Sequence, residues 1–257
     1  MQVDLDGKVA FVAGSTSGIG KVVALKLAEN QADIVLNGRN ATQAEKVIEE
    51  IERLGRKVIF EKADITDYRE VEQAMRNALA KLGKVDILVA SGGITQTGIC
   101  PKFFHETDPI EYLSIAENQW WSRLYCIKAI LPHMIERKTG KIIMLTTDAG
   151  RWPTPAESVV GGAGAAVMLG TRVLAKELAR WRIRVNTVST TVIENSASFQ
   201  YETMLSPSLA QVFTKALEKQ PFPVTMEDVA AVCMFLASPE ADSITGQVLS
   251  VNGGLSF

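Results

Sequence analysis

Three cysteines and two histidines in 257 residues are too few to organise a disulfide framework or a metal centre. Cys100, Cys126 and Cys233 are odd in number and far apart, and neither His105 nor His133 has a Cys at ligand spacing, which points to a reduced, cytosolic protein without metal. Long hydrophobic runs are also missing. Stretches such as Val9–Ala13 and Ile34–Leu36 have strand length, too short to span a bilayer, and the opening MQVDLDGKVAFVAG lacks the basic-then-apolar order of a secretory signal. No charge of one sign dominates: 27 Lys and Arg stand against 29 Asp and Glu, interspersed, so there is no basic footprint for nucleic acid. No Pro/Ser/Gly-rich linker divides the chain, which is read as one domain over 1–257. A local absence is sharper. Between Asp148 and Arg172 there is no Tyr, no Lys and no His.

What is present is a 47% hydrophobic sequence in which short apolar runs alternate with amphipathic stretches of helical length. Strands are expected at Val9–Ser15, Asp33–Arg39, Lys57–Asp64, Asp86–Ser91, Lys141–Thr147, Arg184–Thr190 and Gln247–Asn252. Their unbroken apolar character fits strands covered on both faces. Helices are expected at Gly18–Asn30, Thr42–Leu54, Tyr68–Leu82, Asn118–Arg137, Gly161–Arg180 and Met226–Ala237. Thr42 and Asp67 read as N-caps, and Gly55, Gly83 and Gly140 as C-terminal stops. Strand–helix–strand repetition predicts an α/β fold with a single doubly wound parallel sheet and helices on both faces. Ligands of such sheets sit at the carboxyl ends of the strands.

The run Ala13-Gly14-Ser15-Thr16-Ser17-Gly18-Ile19-Gly20 follows a strand and opens a helix. That is the context in which glycines make a turn, admit a pyrophosphate and let helix and strand pack, with the helix N-terminus facing phosphate. Together with the closing ITGQVLSVNGG, this run resembles the short-chain dehydrogenase/reductase family over almost the whole chain. The resemblance implies a Rossmann-like fold and a nucleotide held by Gly14, Ser17, Gly18, Ile19 and Gly20. It also places Asp64 against adenine. Where NAD-preferring relatives carry an acid, the aligned residue is Gly38 followed by Arg39, which favours a 2′-phosphate if a nucleotide binds. A solvated Arg39 and a capping Asp64 are the competing readings.

At the chemistry end the chain departs from the family. N-N-A-G becomes Ala90-Ser91-Gly92-Gly93, and the catalytic hydroxyl falls on Thr147 in LTTDAG. The family's Tyr and the Lys four residues later fall on Val160 and Gly164, by counting back from Leu174 or forward from Thr147. The relay Asn falls on Gln119, beside Asn118. Lys176 is twelve residues beyond Gly164, about three helical turns, and cannot stand in. Proton transfer by such groups is worth about 10²–10⁴-fold. The resemblance with these losses implies a non-catalytic subunit of a heteromeric NAD-dependent short-chain alcohol dehydrogenase, inactive alone in hydride transfer. It would form a heterotetramer with a catalytically intact paralogue that binds NAD and oxidises a hydroxyacyl-CoA of benzylsuccinate β-oxidation in toluene degradation. NAD(P) binding in this chain would be weakened or vestigial. Two alternatives stand beside it: a nicotinamide-independent lyase or isomerase using Thr147, Asp148 or Glu194, and an NADP(H)-binding regulatory protein. Asp148, Arg151, Glu157 and Glu194 are weighed as solvated loop charges. Trp120, Trp121 and Tyr125 are divided between core and interface, and Gly-rich Val160–Ala166 is expected to let helices of neighbouring subunits approach.

Overall fold

The computed structural model describes residues 3–92, 101–193 and 207–255. Its seven strands form one parallel sheet in the order β3-β2-β1-β4-β5-β6-β7. They are β1 Val9–Val12, β2 Asp33–Gly38, β3 Val58–Lys62, β4 Ile87–Ala90, β5 Gly140–Thr147, β6 Ile183–Thr190 and β7 Val248–Val251. β1, β4 and most of β2, β5 and β6 are buried, which is why they read as continuous apolar runs rather than alternating ones. Chain order reverses at β1, whose neighbours are β2 and β4, so the crevice for a ligand lies above the β1–β4 junction.

Two apolar layers cover the sheet. On one side α1 (Gly18–Glu29) and α2 (Ala41–Arg53) pack with the last helix, Met226–Ala237, through Val23, Leu27, Ile51, Val229 and Leu236. On the other side α3 (Tyr68–Leu82), α5 (Ser122–Arg137) and α6 (Ser158–Leu178) pack through Met75, Ile130, Met134 and Val167. The stretch Ser158–Trp181 is long and apolar enough to cross a membrane, but here it lies against the sheet, joined to β6 by a Thr171–Thr187 hydroxyl bond of 2.6 Å.

Local signals explain most element ends, with three corrections. Asp67 caps α3 as expected, accepting from Arg69 N and Glu70 N, and Gly83 closes it in the left-handed region. The cap of α2 is Asn40, not Thr42: its side chain accepts from Gln43 N, as a residue with extended backbone can and one inside the first turn cannot. Gly140 opens β5, and the turn after α5 is made by Lys138 at φ 51°. The long helix expected from Asn118 begins earlier, as α4 (Tyr112–Ala116), and passes through a π-helical turn at Glu117–Trp121 into α5. A helix at Pro207–Glu218 lies in the stretch expected to be a variable lid.

Candidate active site

The glycine loop has the shape of a phosphate cradle. Gly14 has φ +62°, and a Cβ there would stand 2.9 Å from Gly92 Cα across the β1–β4 crevice. Gly20 packs so closely that a Cβ would meet the Gly14 carbonyl oxygen at 2.3 Å. Gly18, at φ +56°, faces open space, which leaves room for a ligand. Ser17 occupies the N-cap of α1 with no side-chain bond to the first turn, and no acidic residue follows it there. Free N–H groups and the positive helix end are therefore turned to the crevice, and these residues fit a dinucleotide.

Around the ribose position, Gly38 is closed off: a Cβ there would come within 2.7 Å of Thr16 Cγ2. An acid of the NAD-selecting kind would displace Thr16. Arg39 is exposed and ion-paired to Asp64 at 3.4 Å. Asp64 also accepts from the Thr66 amide and hydroxyl. Burial pushes its pKa up, but the Thr66 bonds and the Arg39 charge outweigh burial and hold it below the ordinary carboxylate value. The pair engages each residue with the other, and the helix cap beside it is Asp67 rather than Asp64.

Ala90 and Ser91 carry no side-chain amide, and the amide that ties strands here is Asn37 of β2, two strands away from β4. Asn37 donates to the Glu61 and Ala63 carbonyls at 3.1 and 3.2 Å and accepts from Gly14 N at 3.3 Å. It fixes the glycine loop to β2 and β3.

At the end of β5 the structure builds a cluster that the sequence reading undervalued. Asp148 is 4% exposed and accepts from Ser189 Oγ at 2.7 Å, Ser250 Oγ at 2.6 Å and Asn252 Nδ2 at 2.8 Å. It knots the carboxyl ends of β5, β6 and β7 and so pins Thr147 beside it. The Thr147 hydroxyl accepts from Ala149 N and donates to Glu157 Oε2, both at 3.2 Å. Burial raises the Glu157 pKa above its ordinary value, against a smaller lowering by the Thr147 bond. Asp148 is therefore no solvated loop charge, and Glu157 is half-buried at the edge of a cleft. Arg151 is exposed and donates to the Val248 carbonyl at 3.1 Å. Glu194 lies outside the described residues.

Glu157 is held from behind. Ala156 has φ +70°, a conformation costly for a residue with a Cβ, and its carbonyl accepts from Lys102 N at 3.0 Å. Lys102 in turn grips Glu111 at 2.7 Å. Next to Glu157 opens a cleft of ≈ 450 Å³ walled by Pro153, Pro155, Ser158 and Gly162.

The two positions onto which the sequence resemblance maps the family's Tyr and Lys are tightly packed. Val160 is buried against Ile115. At Gly164 a Cβ would stand 3.0 Å from Thr147 Cγ2 and 3.2 Å from Gly150 Cα. Gly161 similarly faces the Ala149 carbonyl oxygen at 2.7 Å. Gly161 and Gly164 let α6 settle onto the turn after β5, whereas Gly162 faces open space. Gln119 and Asn118 are buried in the π turn, and Asn118 Oδ1 has no hydrogen-bond partner among the described residues. Trp120 fits over Gly170, Tyr125 meets Tyr68 edge-on at 5.7 Å, and Trp121 is exposed.

Sequence reasoning missed Arg123 altogether. It is buried on α5, bonded to the Gly92, Asn118 and Leu145 carbonyls and the Ser122 hydroxyl. The signal was there: a cation three and four residues before Cys126 and Ile127, on a face otherwise apolar.

Residues 13–256 match the family model described as enoyl-(acyl carrier protein) reductase. The chain belongs to the short-chain dehydrogenase/reductase family. It is 30% identical to a 3-oxoacyl-[acyl-carrier-protein] reductase of Chlamydia pneumoniae over 100% of both chains, and 32% identical to that of Synechocystis over 98% of each. Among solved structures, a 7α-hydroxysteroid dehydrogenase complexed with NADH and 7-oxo glycochenodeoxycholic acid superposes with a TM-score of 0.87 at 30% identity, covering 98% of this chain and 96% of that one. Full-length likeness to named reductases overturns the expectation of a non-catalytic subunit, and with it the lyase, isomerase and regulatory alternatives. The expectation took the departures at Ala90, Ser91, Gln119, Thr147, Val160 and Gly164 as loss of activity, and likeness to named reductases over the full length contradicts that.

Proposed function

We propose that this chain is a nicotinamide-dependent reductase of 3-oxoacyl thioesters, with Thr147 and Glu157 as its proton-transfer pair. The observation that carries this reading is the Thr147–Glu157 hydrogen bond of 3.2 Å on a carboxyl whose pKa burial has raised. A carboxyl with a raised pKa keeps its proton to higher pH than an exposed one and, behind a hydroxyl, can deliver it to an oxygen bound there. The chain is in this sense a degenerate family member, lacking the Tyr and Lys, that draws its acid from the loop preceding α6. Bound NADPH would supply hydride to the carbonyl carbon. For transfer the bond would reverse: the Glu157 carboxyl would donate its proton to Thr147 Oγ as the Thr147 hydroxyl gives its own proton to the carbonyl oxygen, and Glu157 would regain a proton from solvent through the open cleft.

The thioester class has two supports. The curated relatives are named for 3-oxoacyl carrier-protein substrates. The ASGG, TTDAG and VGGAG segments also resemble a subunit of hydroxy(phenyl)methylsuccinyl-CoA dehydrogenase, whose substrate is an acyl-CoA. A partner chain of the same family is the accompanying proposal, supported by exposed Leu113, Trp121, Leu169 and Val173 on α4, its π turn and α6.

Arg39 and the closed Gly38 position favour NADPH over NADH. Arg39→Ala is expected to weaken NADPH about tenfold and leave NADH within about twofold, since a phosphate–arginine pair is a charge-assisted bond. Equilibrium titration of the purified chain with each nucleotide measures this, and equal losses for both would remove Arg39 from the site. The activity itself is tested by NADPH consumption with a short 3-oxoacyl-CoA. Formation of the 3-hydroxyacyl product supports the reading, and a nucleotide-bound chain that forms none refutes it.

A further inference from the structure

Arg123 is 3% exposed, and every acceptor it uses is neutral. Its Nε donates to the Leu145 carbonyl at 3.2 Å, and its terminal nitrogens donate to the Ser122 hydroxyl at 2.9 Å and to the Asn118 and Gly92 carbonyls. Among the described residues no carboxylate pairs with it. Burial draws its pKa down to about 10, which leaves it a cation at neutral pH. A buried charge without a counter-ion is expensive to keep. Two of these bonds tie α5 to the sheet, at the Leu145 and Gly92 carbonyls, and two return to its own helix, at Ser122 and Asn118. The two ties to the sheet are within the donor capacity of a neutral amide, so the charge calls for its own account.

Its position supplies one. Gly92, which accepts from Arg123, is the residue that Gly14 approaches so closely that a Cβ there would come within 2.9 Å of Gly92 Cα. The guanidinium therefore lies beneath the carboxyl end of β4, next to the crevice between β1 and β4. Charges in a buried, weakly polarisable setting act over longer range than in water and are little screened by salt. An oxidised nicotinamide ring carries a positive charge and a reduced one is neutral.

We infer that Arg123 sets the redox preference of the site, disfavouring oxidised nicotinamide in the crevice and so holding the chain to the reductive direction. This rests on the nicotinamide reading above and adds the residue that biases it. Arg123 is a positioning and specificity residue here: it touches the backbone that borders the cofactor position and acts by charge. The effect is a coupling between protein charge and ligand charge, and it is read as a ratio of affinities.

The test is equilibrium binding of NADPH and NADP⁺ to the full chain and to two variants. Wild type is expected to bind NADPH at least about tenfold more tightly than NADP⁺. Arg123→Lys keeps the charge and should keep most of that ratio. Arg123→Met removes the charge at similar length and should bring the ratio close to one, with Arg123→Gln as the neutral replacement if the Met chain does not fold. A merely structural Arg123 would weaken both nucleotides together and leave the ratio unchanged; that result overturns the inference, as does loss of the ratio in Arg123→Lys. Equal affinity of wild type for both nucleotides overturns the Arg123 inference alone. Binding of neither overturns the nicotinamide reading and this inference with it.

Discussion

Glu157→Gln should lower the rate of carbonyl reduction about 10²–10⁴-fold while leaving NADPH affinity unchanged. The amide keeps the size of the side chain and can still accept from the Thr147 hydroxyl, which is 3.2 Å away. What it loses is the acidic proton. The pH profile separates this from a packing defect. Because burial raises the Glu157 pKa above its ordinary 4.5, the group is still protonated at pH values where an exposed carboxyl is not. The reductive rate should fall as pH rises through the raised value, and alcohol oxidation should rise through the same window, since the carboxylate then serves as base. Stability follows the same linkage: the folded state binds the extra proton, so unfolding free energy declines as pH climbs from 4.5 through the raised pKa. Glu157→Gln should lack both the kinetic arm and this decline. A variant with wild-type kcat, or one retaining the wild-type pH dependence, would remove Glu157 from the chemistry.

Asp148→Ala is expected to cost about 3–5 kcal/mol of stability, the largest loss from any single truncation in the site. It strips the acceptor from Ser189, Ser250 and Asn252 at once, and Ser189 and Asn252 are buried. Each unsatisfied buried donor costs about 1–3 kcal/mol, moderated where water enters. At about 2–4 °C per kcal/mol for a chain of this size, Tm should fall by roughly 10 °C. Ser250→Ala removes a single arm and should cost about 1 kcal/mol. Urea unfolding of the three proteins measures both losses. An Asp148→Ala loss of under about 1 kcal/mol would mean the three donors find other partners, and the knot would not be what fixes Thr147.

The knot also shows where sequence reading ends. Ser189, Ser250 and Asn252 lie 41, 102 and 104 residues from Asp148, and only the parallel register of β5, β6 and β7 brings them together. The strands themselves were legible because burial on both faces leaves continuous apolar runs. The glycine loop was legible because each glycine answers a separate steric need. Ends were less so. β1 stops at Val12, not Ser15, because pairing with β2 and β4 ends there and Gly14 turns at φ +62°. The register by which Val160 and Gly164 were found is consistent with the close seat of Gly164 on Thr147. The proposed acid, Glu157, was passed over as a loop charge. Glu157 precedes α6 in a loop whose shape depends on the left-handed Ala156 and its bond to Lys102, and no local pattern announces either. Arg123 escaped because a charge is ordinarily assigned to the solvated face of a helix, and its carbonyl partners are invisible until the fold is built.

The central claim is that this chain itself passes hydride and proton to a carbonyl. Incubation of the isolated chain with NADPH deuterated at the reactive ring carbon, and a 3-oxoacyl-CoA, tests it most directly through the mass of the product. Transfer of one deuterium to carbon 3 of a 3-hydroxyacyl-CoA, lost in Glu157→Gln, is the expected result. Full nucleotide occupancy with no labelled product would contradict it.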